Sequence, residues 1–238
     1  LSLLLVEKAR EGCVVARLKW GDPFVFDSGA KEALFLHEHR VPFEIVPGVP
    51  AAIGATAYAG VPLTYPGAGD ALMFVRGHED DIGALPNVDW PALARLDGTF
   101  TCFAGGPLVP AILQKLVDHG AAPDAQVALI YNGTEPTQRT VTGTISGLLA
   151  STLAEPTTHL ALLVIGRVVG LREHLRWFDE RPLFGRRVVV TRSQEQARDL
   201  IDQLENLGAQ AIQAPTFRLA PADDPESLDR AAASIDEY

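Results

Sequence analysis

The stretch "RLKWGDPFVF", Arg17–Phe26, runs from a basic, apolar segment through Gly21-Asp22-Pro23 straight into an aromatic pair. Read locally, it is a strand end followed by a tight turn. Gly21 lacks the Cβ that would bar a close-approaching group, and Asp22 offers an acceptor to a ligand hydroxyl or to nearby backbone amides. A loop whose Asp22 only caps backbone is the plainer account of this turn taken alone. Upstream, "VVARL" (Val14–Leu18) reads as the strand that feeds it, and Phe24 and Phe26 are expected to anchor it to the core.

The same pattern recurs along the chain. "PFEIVPG" (Pro42–Gly48), "TFTCFAG" (Thr99–Gly105) and "QVALIY" (Gln126–Tyr131) are apolar, β-rich runs that lead into the small-residue turns "PGV", "FAGG" and "NGT". "ALMFVRG" (Ala71–Gly77) and "LALLVIG" (Leu160–Gly166) read as further buried strands. Helical patterns intervene at Gly29–His39 and Val109–His119, the second followed by Gly120 as a C-terminal cap. Alternation of this kind predicts an α/β domain with a largely parallel sheet, while the polar and β-branched alternation of "QRTVTGT" (Gln138–Thr144) predicts an antiparallel arm. Ligands of open α/β sheets bind beyond the carboxyl ends of strands, so these turns are expected to share one cleft.

After Arg176 the texture changes. "RWFDERPLFGRR" (Arg176–Arg187) has the charge, Pro182 and Gly185 of a linker. A strand "VVVT" (Val188–Thr191), a helix from Ser193 to a terminating Gly208, and a strand in "AQAIQAPTF" (Ala209–Phe217) then read as the opening βαβ unit of another domain. The expected organisation is one domain over residues 1–179, a linker over 180–185 and an incomplete second domain over 186–238. The start, "LSLLLVEKAREG", reads as the last turns of an amphipathic helix without a start signal, so a piece of a longer polypeptide is expected.

Composition narrows the function classes. With 238 residues, 47% hydrophobic and 21% charged, the chain can bury one large or two modest cores. A formal charge of −10 disfavours nucleic-acid or membrane-surface binding, and no apolar run approaches the roughly 20 residues that span a bilayer. Cys13 and Cys102 stand far apart, and neither they nor His37, His39, His119, His159 and His174 show a metal-ligand spacing. No metal is expected, and a reducing cytoplasm fits best. No Gly-x-Gly-x-x-Gly follows a predicted strand, which disfavours a nicotinamide enzyme.

Taken in order, "RLKWGDPFVF", "VPFEIVPGVPAAIGATAYAGVPLT" (Val41–Thr64), "YNGTEPTQRTVTGT" (Tyr131–Thr144) and "VIGRVVGLREHLRWF" (Val164–Phe178) resemble the tetrapyrrole methylase family, in particular its branch that C-methylates uroporphyrinogen III. "PLFGRRVVVTRSQEQARDLIDQLENLGAQAIQAPTFRLAP" (Pro182–Pro221) is similar to the start of uroporphyrinogen-III synthases. The resemblance implies the tetrapyrrole methylase fold, its second subdomain with part of the first, followed by an incomplete flavodoxin-like unit. It also implies methyl transfer from S-adenosylmethionine to pyrrole carbons of a tetrapyrrole substrate, giving precorrin-2 on the route to sirohaem and cobalamin, in a homodimer.

Residue by residue, the family's cofactor contacts fall on Gly21, Asp22, Val25, Ala51, Ala104, Gly133 and Ala161, and on Trp20 and Pro50, which stand where the family usually has Gly and Thr. Ala104 stands where Met is common, Leu160 where Pro is common, and "DSGAKE" (Asp27–Glu32) replaces a Gly- and Arg-rich run. The Trp20 indole is expected either to stack on adenine or to occupy its space. The family's acid and base candidates fall upstream of Leu1, so the resemblance assigns no catalytic side chain here. An electron-rich pyrrole carbon attacking a methyl sulfonium asks mainly for positioning and desolvation.

Weaker expectations concern Arg17, Lys19, Arg76 and Arg139 as clamps for substrate carboxylates, His78 as a cleft residue, and Arg192 with Ser193 as an anion site or simple helix cap. Two other readings stay open. One is a later precorrin methyltransferase. The other is a degenerate methylase module serving as a scaffold or dimerisation unit, which Trp20, Pro50 and Ala104 favour.

Overall fold

Runs of β-branched and aromatic residues build a five-stranded sheet in the order β1-β2-β5-β3-β4. These strands are β1 (Ala71–Val75), β2 (Gly98–Gly105), β3 (Gln126–Tyr131), β4 (Arg139–Thr144) and β5 (Leu160–Ile165). The computed structural model describes residues 1–77, 84–105, 107–154, 160–217 and 224–235. By contacts the chain divides into two units, Leu1–Glu180 and Arg181–Tyr238.

Helices α4 (Trp90–Ala94) and α5 (Leu108–Asp118) carry the chain between β1, β2 and β3, which therefore run in one direction. A short turn then reverses it into β4, and α6 (Ile145–Ala154) returns it to β5. Because β5 inserts between β2 and β3, it is antiparallel to both, and among the described residues β1 with β2 is the only parallel pair of this sheet. The expected largely parallel sheet is thus corrected to a mixed one. Helical connections set the directions of the first strands correctly, but the insertion of a returning strand is not visible in periodicity. "QRTVTGT" does form the antiparallel arm.

Alternation along the strands feeds two apolar layers. Val127, Leu129, Leu163, Phe100 and Cys102 pack with α4, α5 and α6 on one face. Ala128, Ile130, Leu162 and Val164 pack on the other with α3 (Ala51–Tyr58) and the 3₁₀ turn Arg167–Leu171. The α3 sequence "AAIGATAY" is nearly all small, and Ala52 and Ala55 bury directly against the sheet. Its carboxyl end is held by side chains from far along the chain. Trp177 Nε1 donates to Ala57 O at 3.0 Å, Gln138 Nε2 to Tyr58 O at 3.3 Å, and Arg172 to Ala59 O. Helix α7 (Arg172–Leu175) supplies that arginine, which also pairs with Asp179.

The leading residues form α1 (Ser2–Arg10) and α2 (Gly29–Glu38). The expected strands at Val14–Leu18 and Pro42–Gly48 are not formed. Among the described residues neither segment joins a ladder, and Val14, Leu18 and Val46 are exposed. Their composition suits strands, but a strand exists only where another offers its backbone.

In the second unit β6 (Arg187–Val190) and β7 (Gln210–Gln213) pair in parallel around α8 (Gln194–Asn206), with Val190, Ala197 and Ile201 as a small core. Helix α9 (Pro225–Ala233) follows. Ser193 is the α8 N-cap, but its hydroxyl makes no capping bond and is buried without a partner among the described residues, which corrects the capping role expected for it.

Candidate functional site

Two turns in the leading part of the first unit are fastened by one carboxylate. Asp22 accepts from the Phe24 amide through Oδ1 at 2.8 Å and from the Gly48 amide through Oδ2 at 3.2 Å. It therefore closes its own turn and ties it to "PGV". A Cβ at Gly48 would overlap the Gly21 carbonyl oxygen, and Gly21 itself takes φ 65°, a conformation that favours glycine, so this contact suits a glycine on each side.

Pro50 is the N-cap residue of α3 and offers no side-chain cap. The first helical bonds run from Ile53 and Gly54 to Pro50 O at 2.9 and 3.1 Å, which places the Ala51 and Ala52 amides in the unbonded first turn. The Ala51 amide sits beside the Gly21-Asp22 turn, and both amides lie at the positive end of the helix dipole. Val25 closes the far side of that turn, its amide bonded to Asp22 O at 3.2 Å.

The "NGT" turn packs on the same helix. A Cβ at Gly133 would lie 2.5 Å from Ala55 Cβ, and Thr134 Cγ2 lies 3.9 Å from a Cβ position at Gly54. Asn132 and Thr134 adopt φ of 48° and 75°, and for a β-branched residue that is a true outlier. Gln138, 6% exposed, accepts from the Thr134 amide through Oε1 at 2.9 Å. Ala104 and Ala161 face each other directly across β2 and β5, at the sheet end from which the "NGT" turn leaves β3. Both side chains are buried in the layer shared with α4 to α6, so a ligand contact at either position would run through main chain.

The structure thus gathers Gly21, Asp22, Val25, Pro50, Ala51 and Gly133 around α3, and leaves Ala104 and Ala161 at neighbouring strand ends. Trp20 does not fill this gap: its indole is 96% exposed. Phe24 and Phe26 are about half exposed, so the expectation that they anchor the turn to the core is corrected. Polar contacts do the anchoring instead. Lys19 Nζ, almost buried, donates to Ser28 Oγ at 2.6 Å, Glu32 Oε1 at 3.0 Å and Asp27 Oδ1 at 3.1 Å, while Arg17 Nε lies 3.4 Å from Glu32 Oε2. The departing residues of "DSGAKE" therefore form a clasp around Lys19.

Burial pushes the Glu32 carboxyl up, but bonds from Lys19 and Ser28 and the charges of Lys19 and Arg17 outweigh it and hold it below its ordinary value. Asp27 is held low by the Ser28 amide first, then by Lys19. This engagement corrects the substrate-clamp expectation for Lys19, whose donors are all taken internally. Arg17 faces Glu32 through Nε and donates to Leu18 O through Nη1, while its side chain stays partly exposed. Arg139 lies over the Tyr131 ring at 5.3 Å, where burial raises the phenol's pKa and the arginine charge opposes it. Arg76 is exposed at the end of β1. His78, His159 and Gly106 lie outside the described residues. Among the described residues no cluster of His, Cys, Asp and Glu could hold a metal ion, and no helix is long and apolar enough to cross a membrane.

The bonds that Glu32, Gly48 and Gln138 make are not legible in the local sequence. Gln138 was legible only as the polar start of an arm, although a long amide so soon after a tight turn is a signal for a side chain that returns to it.

Turns fastened around a small-residue helix that packs on the sheet define an α/β protein. The chain belongs to the tetrapyrrole methylase family: the model for Tetrapyrrole (Corrin/Porphyrin) Methylases matches residues 2–149. It is similar to the porphyrin biosynthesis protein HemD of Ruminiclostridium josui, 35% identical over 238 residues, which is 100% of this chain and 47% of that protein. It is similar to a sirohaem synthase of Neisseria meningitidis, 47% identical over 179 residues, 75% of this chain and 36% of that protein. Among solved structures, uroporphyrin-III C-methyltransferase from Thermus thermophilus complexed with S-adenosylhomocysteine superimposes with a TM-score of 0.58 at 29% identity, over 71% of this chain and 73% of that one. The chain spans about half the length, or less, of these curated relatives.

Proposed function

We propose that the first unit contributes to S-adenosylmethionine-dependent C-methylation of uroporphyrinogen III, giving precorrin-2 for sirohaem and cobalamin synthesis. The observation that carries this reading is the Asp22 bridge. It holds two glycine turns against the open first turn of α3, leaving backbone amides and carbonyls as the lining. Such a lining fits S-adenosylmethionine. The unbonded amides of Ala51 and Ala52 suit its carboxylate, and the exposed apolar edges of Val25, Val49 and Ile53 suit its adenosyl part.

When bound, the cofactor supplies an electrophilic methyl group. The residues here would orient it: Gly21, Asp22 and Val25 from one turn, Pro50 and Ala51 from the helix start, Gly133 from the third turn, and Ala104 and Ala161 through main chain at the strand ends. The exposure of Trp20 beside the turn favours a role covering adenine over one of displacing it. The acid and base of the reaction are not assigned to any residue of this chain.

The second unit, by its parallel β6-α8-β7 order and an alignment that continues into it, reads as the start of a uroporphyrinogen-III synthase domain. The proposed domain limits are residues 1–179 and 186–238, joined through 180–185. Exposed Leu3, Leu4, Leu34 and Phe43 favour a homodimer, and two cysteines that form no disulfide among the described residues, Cys13 at the surface and Cys102 in the core, fit the cytoplasm.

The test is calorimetric titration of S-adenosylhomocysteine into the natural full-length protein and its Trp20→Gly variant. Micromolar binding by both supports the reading. No binding by the natural protein, with binding restored by Trp20→Gly, would turn it to a closed cleft and a scaffold role.

A further inference from the structure

We propose that Gln138 is the positioning residue of the cofactor site: its buried amide locks the "NGT" turn onto helix α3. The inference rests on the methyltransferase reading, and it names a residue outside the family contacts carried over from the sequence.

The Thr134 backbone sits at φ 75°, a region that a β-branched residue enters only when its surroundings hold it there. Gln138 supplies the hold. Its Oε1 accepts from the Thr134 amide at 2.9 Å, and its Nε2 donates to Tyr58 O at 3.3 Å, at the last residue of α3. The side chain therefore joins the strained turn to the carboxyl end of the helix whose amino end faces Gly21 and Asp22. Gly133, pressed on Ala55, closes the same contact from the other side. With Trp177 and Arg172 on the adjacent carbonyls, α3 is fixed from behind, and Gln138 alone of these donors also reaches a turn of the site. Loss of the amide frees Thr134 to relax toward negative φ, which withdraws Gly133 from its seat.

The experiment uses the natural full-length protein with Gln138→Met and Gln138→Glu. Amide hydrogen exchange at Thr134 is read without ligand, and S-adenosylhomocysteine affinity by calorimetry. For Gln138→Met, exchange at Thr134 rises and affinity falls about tenfold, the scale of one lost buried hydrogen bond.

Gln138→Glu gives the signature a merely structural role would lack. As a carboxylate it meets Tyr58 O with an acceptor and binds weakly at pH 8. As a neutral acid it donates to Tyr58 O and accepts from Thr134. Its affinity relative to the unaltered protein therefore recovers as pH falls toward about 4.5, near the ordinary glutamate range. The charged groups around it are Glu135 and Arg139 on its own hairpin and the Arg172–Asp179 pair behind α3; α3 itself carries none. Unchanged exchange at Thr134, or a Gln138→Glu affinity ratio flat across that range, would overturn the proposal. An unaltered protein that binds no S-adenosylhomocysteine overturns the methyltransferase reading instead, and the exchange measurement still judges the lock.

Discussion

"VVARL" at Val14–Leu18 and "QVALIY" at Gln126–Tyr131 are both short, apolar, β-rich and followed closely by a small-residue turn, yet they end in opposite environments. Val14 and Leu18 are 104% and 84% exposed, whereas Val127 and Leu129 are 0% and 1% exposed. The second run lies between β4 and β5 and feeds both apolar layers, and the first has no ladder among the described residues. What differs is the neighbour, since strand composition permits pairing but cannot supply a partner. The two turns are correspondingly fixed by different forces. "NGT" is seated by packing on α3 and by Gln138, and "WGDP" by the Asp22 bridge and the Lys19 clasp.

The largest expected effect tests the packed side of this contrast. Leu129→Ala removes a fully buried side chain from the middle of the sheet and should cost about 3 kcal/mol, transfer and cavity together. Leu18→Ala should change stability by less than about 0.5 kcal/mol. Chemical denaturation of both variants checks the pair, and equal costs would mean that the leading run is buried in solution.

Next in size is the polar side. Lys19→Met leaves the Glu32 carboxylate nearly buried with Arg17 as its remaining cation and the Ser28 hydroxyl as its remaining donor, and should cost about 2 kcal/mol after allowance for the partial exposure of Asp27. Thermal unfolding would read it. A cost near zero would show that the clasp is a consequence of the turn and not its cause.

How much of this was legible in the sequence follows from the range of the forces involved. Each strand of the main sheet was readable, because alternation and β-branching are local properties of "TFTCFAG" or "LALLVIG". The helix ends at Gly120 and Gly208 were readable for the same reason. Strand order was not, because nothing in "LALLVIG" tells that it inserts between β2 and β3. The site split in the same way. Gly21, Asp22 and Gly133 could be named from turn chemistry and resemblance. The bond from Asp22 to Gly48, Gln138 reaching back to Tyr58, and Lys19 turned inward by Asp27 and Ser28 depend on approaches between distant segments that no local pattern encodes.

A smaller effect comes from titrating the clasp. Asp27 and Glu32 are both held below their ordinary values in the folded chain, so the unfolded chain binds protons first as pH falls. Their contribution to stability is complete above the unfolded range of about 4.3 and is lost as pH drops through the lower folded values. Unfolding followed from pH 6 to pH 3 should show this loss, and Glu32→Gln should flatten it. An unchanged slope in Glu32→Gln would assign the acid sensitivity to other carboxylates.

The smallest effect falls where the two halves of the site meet, at Pro50. The helix start it occupies has no side-chain cap, so Pro50→Thr should add about 0.5 kcal/mol through a hydroxyl that accepts from an amide of the first turn of α3. If that hydroxyl serves the helix, the gain appears in thermal unfolding without ligand, and S-adenosylhomocysteine affinity stays level or falls, because the amides offered to the ligand have been taken. If it serves the ligand, unfolding without ligand is unchanged and affinity rises. The first outcome would make the uncapped start of α3 part of the binding surface; the second would make proline a lost contact there.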